Sequence, residues 1–407
     1  MIALPLELPA RLGKLQTAGW TDQFTGVQVD SRRIEEGELF VAVNGGADFV
    51  RHAFARGAAA ALIPDDAHAA LAALASEVRA RTDARVVAIT GSMGKTTTKD
   101  ILAAIAFPQR ATVAAERPYN NELGVPLTLC RIEDDTELVI LELAMRGFGQ
   151  IAALADVARP HVGVITTIAP VHLGKVGSLE GVIRAKSELL AALPSGGTAV
   201  VPAGFSVARE DLHVVRVGED VTLEAFEPPL LRTSLGAVEV NFGARHLAHN
   251  AVVALATARE LGLEIPPRID VAFADWRNQE IPLAGGGVLV NDAWNANPIS
   301  MRAALEHLNA LAAGRRRVAV LGEMAELGNY AEEGHAEVAR AVREIGVDVL
   351  VSVGERARAY GGRTVADADE AIAVLREELR PGDCVLVKGA RALALERVAD
   401  AVTAVAA

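Results

Sequence analysis

A chain of 407 residues, 51% hydrophobic and 23% charged, is too long for one hydrophobic core and has the make-up of a soluble globular protein of two or three domains. Its net charge of −12 weighs against a nonspecific nucleic-acid binder, which needs a basic face, so any phosphate ligand must be held locally. The start, MIALPLELPARLGKLQ, has no basic leader joined to an apolar core, and no apolar run approaches a membrane span. The expectation is a cytoplasmic protein without membrane insertion.

In chain order, short apolar runs alternate with helical patterns: RVVAIT (85–90), LVILE (138–142), HVGVITTI (161–168), TAVVP (198–202), GVLVN (287–291), RVAVLG (317–322), DVLVSVG (348–354) and CVLVKG (384–389). Continuous apolar strands separated by helices indicate an α/β chain with parallel sheets covered on both faces. The polar stretch 79–85 and the glycine-rich stretch 282–287 read as seams, giving three domains over 1–83, 84–284 and 285–407. Residues 203–245 read as extra strands within the second. Cys130 and Cys384, far apart and without metal or redox spacing, read as buried packing residues.

The strand at 85–90 runs into GSMGKTTTKDILAAIA, a glycine loop that opens a helix. Backbone N–H groups of Gly91, Ser92, Met93, Gly94, Lys95, Thr96 and Thr97 can cradle a polyphosphate. Lys95 can neutralise it, and Thr96 can offer a hydroxyl to Mg²⁺. Ile89 stands where the longer GxxxxGK[ST] pattern has its first glycine, so the cradle is short. The plainer alternative is a strand-to-helix turn with an exposed lysine. Six of the 40 basic residues are lysines, at 14, 95, 99, 175, 186 and 388, and a lysine at this position in so arginine-rich a chain favours nucleotide binding.

Glu142 ends the second strand, His172 follows the third, and Lys186 lies on a helix over 179–192, one turn from Val182, Leu189 and Leu190. Singly, each reads equally well as a rim glutamate, a structural histidine and a covering side chain. An arginine would serve to cover an apolar face but cannot lose its charge. A desolvated lysine can, and its neutral amine can add CO₂ to give a carbamate, an oxygen ligand suited to Mg²⁺.

TGSMGKTTTK, PYNNELGVPLTL, ILELAM, HLGKVGSLEGVIRAKSELL, HLAHNAVVALATA, NDAWNANPISMRAAL, VLGEMAELG and VLVKGARALALE together resemble the Mur ligase family, in the family's order. The resemblance implies a three-domain Mur ligase architecture. A small N-terminal α/β domain binds a UDP-sugar, a central P-loop ATPase parallel-sheet domain binds ATP, and a Rossmann-like domain completes the ligase. By resemblance Lys186, N-carboxylated, and His172 hold one Mg²⁺, and Thr96 and Glu142 hold another. Lys95 carries the nucleotide phosphates, while Asn120 and Asn121 lie between phosphate loop and substrate. Asn250 and His246 reach toward adenine, although Leu247 follows His246 where the family usually has asparagine. Arg277 lies near the nucleotide, with Trp276 where the family commonly has glycine. In the last domain Asp292 and Asn295, with Asn297, approach the nucleotide, and Trp294 replaces a more usual tyrosine. Lys388 steadies a phosphate or a peptide carboxylate. In the first domain Asp30, Ser31 and Arg32 form the family's DSR segment, for UDP-sugar, but the usual DGHDF-like run is here GADFVRHAF.

The resemblance, nearest in its motifs to one member, implies an enzyme that joins D-alanyl-D-alanine to UDP-N-acetylmuramoyl-tripeptide through an acyl phosphate, with ATP and two Mg²⁺; a monomer is the expectation, though the sequence does not give the oligomeric state. Alternatives with the same chemistry are the ligase for the third stem residue, whose DNPR-like segment is absent, and folylpolyglutamate synthase, against which the DSR-type first domain argues. From another class, a P-loop NTPase switch would hydrolyse ATP without forming an amide and would leave Lys186 unexplained.

Overall fold

The computed structural model describes residues 1–115, 119–170, 173–283 and 285–405. The central sheet is built on Arg85–Thr90, whose Val86, Val87, Ala88 and Ile89 have no solvent exposure. Strands of this kind need cover on both faces. Six parallel strands lie in the order His213–Val217, Thr198–Pro202, Val162–Ile165, Arg85–Thr90, Leu138–Glu142, Thr112–Ala114. The run expected at 161–168 pairs only over Val162–Ile165, because Thr166 turns its hydroxyl to the carbonyls of Thr90 and Met93 at 3.3 and 2.5 Å and leaves the ladder.

The extra strands expected within 203–245 divide between two sheets. His213–Val217 extends the parallel sheet. Leu223–Glu227, Leu230–Thr233 and Gly236–Val240 form a smaller sheet with Arg268–Ile269, and its Leu231, Val238 and Val240 pack into the core around the helix Arg245–Glu260.

The first domain has a sheet ordered Gly13–Thr17, Ala60–Pro64, Leu39–Val41, Val27–Gln28. Asp66 caps the helix Ala67–Ala80 by accepting the Ala69 N–H at 3.0 Å. The buried face of that helix, with Leu71, Leu74 and Val78, shares one core with Val125, Leu129, Ile151 and Leu154 of the central domain. Arg79 crosses the 79–85 seam, donating to the carbonyls of Ala158 and Arg159 at 3.0 and 3.2 Å.

In the last domain the strand order is Gln279–Pro282, Val288–Asp292, Cys384–Lys388, Arg317–Gly322, Val349–Val353, Arg363–Val365. The first pairs antiparallel with the second, so the glycines at 285–287 fall inside a hairpin of this sheet rather than between sheets. Two packed cores cover the sheet, one of them around the helix Pro298–Ala312. Both cysteines are free and buried, and burial pushes the Cys130 thiol up to about 12. Among the described residues no helix is long and apolar enough to cross a membrane.

Candidate active site

The phosphate loop owes its shape to two glycines that no other residue could replace without movement. Gly91 (φ +148°) and Gly94 (φ +80°) are in conformations that disfavour side chains. A Cβ on Gly91 would come within 2.0 Å of Thr166 Oγ1, and one on Gly94 within 2.3 Å of Asn250 Oδ1. Ser92 anchors the loop sideways, its N–H donating to Thr167 O at 2.7 Å and its hydroxyl to Ala169 O at 3.0 Å. The helix Lys95–Ala106 then begins with its free N–H groups and positive dipole end toward the loop. Lys95 Nζ donates back to Gly91 O at 2.8 Å.

Strand register brings Glu142 opposite Ile89, at the mouth of this loop. Its carboxylate is 1% exposed and accepts from both sides, from Thr96 Oγ1 and from Asn120 Nδ2, each at 2.8 Å. The paired asparagines therefore separate. Asn120 belongs to the site, whereas Asn121 Oδ1 accepts the N–H groups of Leu123 and Gly124 at 3.3 and 3.0 Å and turns the chain into the helix Gly124–Leu129.

Lys186 is 1% exposed on the helix Leu179–Ala191, among buried Val182, Ala185, Leu189 and Leu190. Burial, then the charge of Lys95, holds its ammonium well below the usual lysine range, against the pull of Glu142 and Glu188. The expected partner His172 lies outside the described residues.

Across the gap the last domain presents the carboxyl ends of its own strands. Asp292 and Lys388 are register partners on adjacent parallel strands, and Lys388 Nζ donates to Asp292 Oδ2 at 2.5 Å and to Asn295 O at 2.9 Å. Asn297 caps the helix Pro298–Ala312 in a capping box with Ser300, so its side chain holds an element in place. The phosphate loop, Glu142, Asn250, Arg277, Asp292, Asn295 and Lys388 all line one cavity of about 490 Å³. Burial is the main force lowering the pKa values of Lys95, Arg277 and Lys388, so this cavity confronts three desolvated cations with the carboxylates Glu142 and Asp292. A polyanion entering here would restore the solvation those cations lost. A further cavity of about 540 Å³, with Arg85, Arg110 and Glu137 in its wall, lies at the amino ends of the central strands. It collects a surface ion pair, Arg110–Glu137 at 2.9 Å.

Asp30, Ser31 and Arg32 lie apart from this site in a cavity of about 570 Å³ within the first domain, beside Phe49 and His52. Arg32 pairs with Asp30 at 2.8 and 2.9 Å, and those hydrogen bonds hold the Asp30 carboxyl down at about 2. Ser31 Oγ meets His52 Nδ1 at 3.0 Å.

Three groups in or beside the cavity of about 490 Å³ escaped the sequence reading. Asn278 is buried with both side-chain amide atoms unpartnered. His307 lies edge-on, at 6.5 Å, to the ring of His246, which was expected from the sequence and which burial chiefly holds down at about 4. His307 in turn meets Glu280 at 2.8 Å. Thr166 and Thr167 were legible only as the polar end of an apolar run.

Residues 89–258 match the Mur ligase middle domain, and residues 276–391 match the Mur ligase glutamate ligase domain. The chain is 36% identical to the UDP-N-acetylmuramoyl-tripeptide--D-alanyl-D-alanine ligase of Mycobacterium tuberculosis, over 93% of this chain and 92% of the relative. Crystal structure I of MurF from Acinetobacter baumannii superposes with a TM-score of 0.83 at 27% identity, covering 98% of this chain and 99% of that one. The MurF ligase of Thermotoga maritima in complex with ADP shares the fold, with a TM-score of 0.77 at 24% identity over 93% of this chain and 97% of that one. Two matched domains in succession and a relative aligned along nearly the whole length establish that the chain belongs to the Mur ligase family.

Proposed function

We propose that this chain joins D-alanyl-D-alanine to UDP-N-acetylmuramoyl-tripeptide, converting ATP to ADP and phosphate and giving the pentapeptide precursor of peptidoglycan. The observation that carries the reading is the single cavity in which a glycine loop and Lys95 from one sheet face Asp292 and Lys388 from another. Such an arrangement suits an activation in which two anions, a carboxylate and a triphosphate, must meet. Its main requirements are charge neutralisation and positioning.

The tripeptide carboxylate attacks the γ-phosphorus, the β–γ bond breaks, and ADP leaves. The neutral amine of D-Ala-D-Ala then adds to the acyl phosphate, loses a proton, and expels inorganic phosphate from the tetrahedral adduct. Lys95 and the helix N-terminus take up the phosphate charge, Arg277 adds a second buried cation, and the facing domain excludes water from the acyl phosphate.

The site fits Mg²⁺ through hard oxygen donors, since the Glu142 carboxylate and Thr96 hydroxyl already meet at 2.8 Å. Among the described residues no group of three His, Cys, Asp or Glu side chains could hold a metal ion alone, so substrate oxygens would complete the shell. Bound there, Mg²⁺ would neutralise phosphate charge. Lys186, buried and driven toward its neutral form, has the chemistry to be carboxylated and, with His172, to hold a second ion. The UDP-sugar fits the first-domain cavity around Ser31 and Arg32. The proposed enzyme is a cytoplasmic monomer.

The test is phosphate release from ATP with UDP-N-acetylmuramoyl-tripeptide, with and without D-Ala-D-Ala, together with the product mass. Release dependent on both, with pentapeptide formed, is the expected result. Release without the pentapeptide would refute the acceptor assignment.

A further inference from the structure

The chain passes from the central to the last domain through residues 274 to 278, and this short crossing is tied at both ends. Asp100, on the phosphate-loop helix, accepts the Ala274 N–H at 3.1 Å with one oxygen and pairs with Lys99 at 2.5 Å with the other. At the far end the Trp276 ring stacks on Trp294, with centroids 5.9 Å apart and planes 15° from parallel. Arg391 lies against both rings, its guanidinium 4.5 Å from the Trp276 ring centre and 5.6 Å from that of Trp294. The backbone joins in, since Trp294 N–H donates to Trp276 O at 3.3 Å and Trp276 N–H to Gln279 Oε1 at 2.9 Å.

Trp276 has φ +59°, a left-handed conformation that a bulky side chain adopts only when its surroundings over-determine it. That conformation separates two neighbouring side chains. Trp276 packs into a core of the last domain, while Arg277 lines the nucleotide cavity, where its Nε is buried without a hydrogen-bond partner. Arg277 is close enough to add its charge to the burial that disfavours the charged form of Lys95.

We propose that Trp276, held in a cluster with Trp294 and Arg391, is a positioning residue that aims Arg277 at the polyphosphate in the nucleotide cavity. The proposal rests on the ATP reading above, and names what holds an arginine that belongs to neither sheet. Arginine has many rotamers, so an unheld one loses much of its binding contribution to ordering.

The experiment is a double-mutant cycle on binding of a non-hydrolysable ATP analogue, with the full chain, using Trp276→Gly, Arg277→Ala and the double variant. Glycine suits the left-handed backbone, so Trp276→Gly removes the ring without new strain. Trp276→Gly should weaken binding about tenfold, toward the value for Arg277→Ala. The double variant should bind no more weakly than Arg277→Ala, because the tryptophan acts through the arginine. Trp276→Phe, which keeps a ring for the stack, should stay within about threefold of the parent, whereas a merely structural role would not make the two losses overlap. Should Trp276→Gly fail to fold, Trp276→Asn, whose side chain also tolerates the left-handed backbone, takes its place under the same criteria, since Trp294 itself lies 5.7 Å from the Arg277 guanidinium.

A Trp276→Gly variant that binds within twofold of the parent, or a double variant whose loss is the product of the single losses, overturns the proposal and leaves the ATP reading standing. A parent chain that does not bind the analogue overturns both.

Discussion

Lys186 is a residue whose burial works against stability. Its native pKa lies well below the ordinary lysine value of 10.5 chiefly because of burial, so between the two values the unfolded chain holds a proton that the native chain has lost. The cost is therefore full below the native pKa, shrinks as pH rises, and is gone above 10.5. Lys186→Met should raise the denaturant midpoint at pH 7 and narrow its rise toward pH 10, yet lower ligation by about a hundredfold or more if the amine carries a metal-binding carbamate. Lys186→Arg should be as inactive and less stable than the parent, since a guanidinium cannot neutralise itself. Full ligation by the arginine variant would exclude the carbamate. Lys186 and Glu142 were legible in the sequence because a charge within an apolar pattern is visible locally. The tie made by Asp100 and the stacking of Trp276 were not, since one bonds a backbone group 174 residues away and the other acquires its stack only when the last sheet is assembled.

At the scale of elements, the phosphate loop and its helix make a claim that strain and collision can separate. Gly94→Ala meets both a left-handed backbone, worth about 1–2 kcal/mol, and Asn250 Oδ1 at 2.3 Å, on the helix that closes the cavity. Gly149→Ala, at φ +79° with nothing within 4 Å, meets the strain alone. Titration with the ATP analogue should show at least a tenfold loss for Gly94→Ala and a change under twofold for Gly149→Ala, while urea unfolding shows a cost for both. Equal binding by the two would remove the loop from the nucleotide site. The parallel strands were readable because both-face burial writes an unbroken apolar run. The small sheet of Leu223–Glu227, Leu230–Thr233 and Gly236–Val240 was not resolved from its neighbour, since half-exposed strands such as Leu223–Glu227 carry only part of that signal. The strand Gln279–Pro282, too, is half exposed and ends in proline, which hid the hairpin it forms.

For the whole molecule, what matters is which cores are shared. Three domains by sequence suggest three independent units, but the helix Ala67–Ala80 inserts Leu71, Leu74 and Val78 into the core that also holds Val125, Leu129, Ile151 and Leu154. The first and central domains are thus bound through a common apolar interior, with Arg79 locking its edge. The last domain keeps its own cores around Leu305 and Val385, and meets the rest through the crossing at 274–278 and contacts such as Arg146–Glu326 at 3.7 Å, an exposed pair that adds little. Such a molecule should unfold in two calorimetric transitions, one for the joined first and central domains and one for the last. Leu74→Ala, which empties a fully buried site, should cost about 2–5 kcal/mol and lower only the first of these, carrying the central domain with it. Leu305→Ala should lower only the other. ATP analogue added to the parent should raise both together, because its cavity is walled by both units and bound ligand stabilises whatever forms its site. If Leu74→Ala instead splits off a third, small transition, the first domain folds alone and the shared interior contributes little. A ligand shift confined to one transition would mean that the last domain does not hold the nucleotide, and that the facing Asp292 and Lys388 serve only their own sheet.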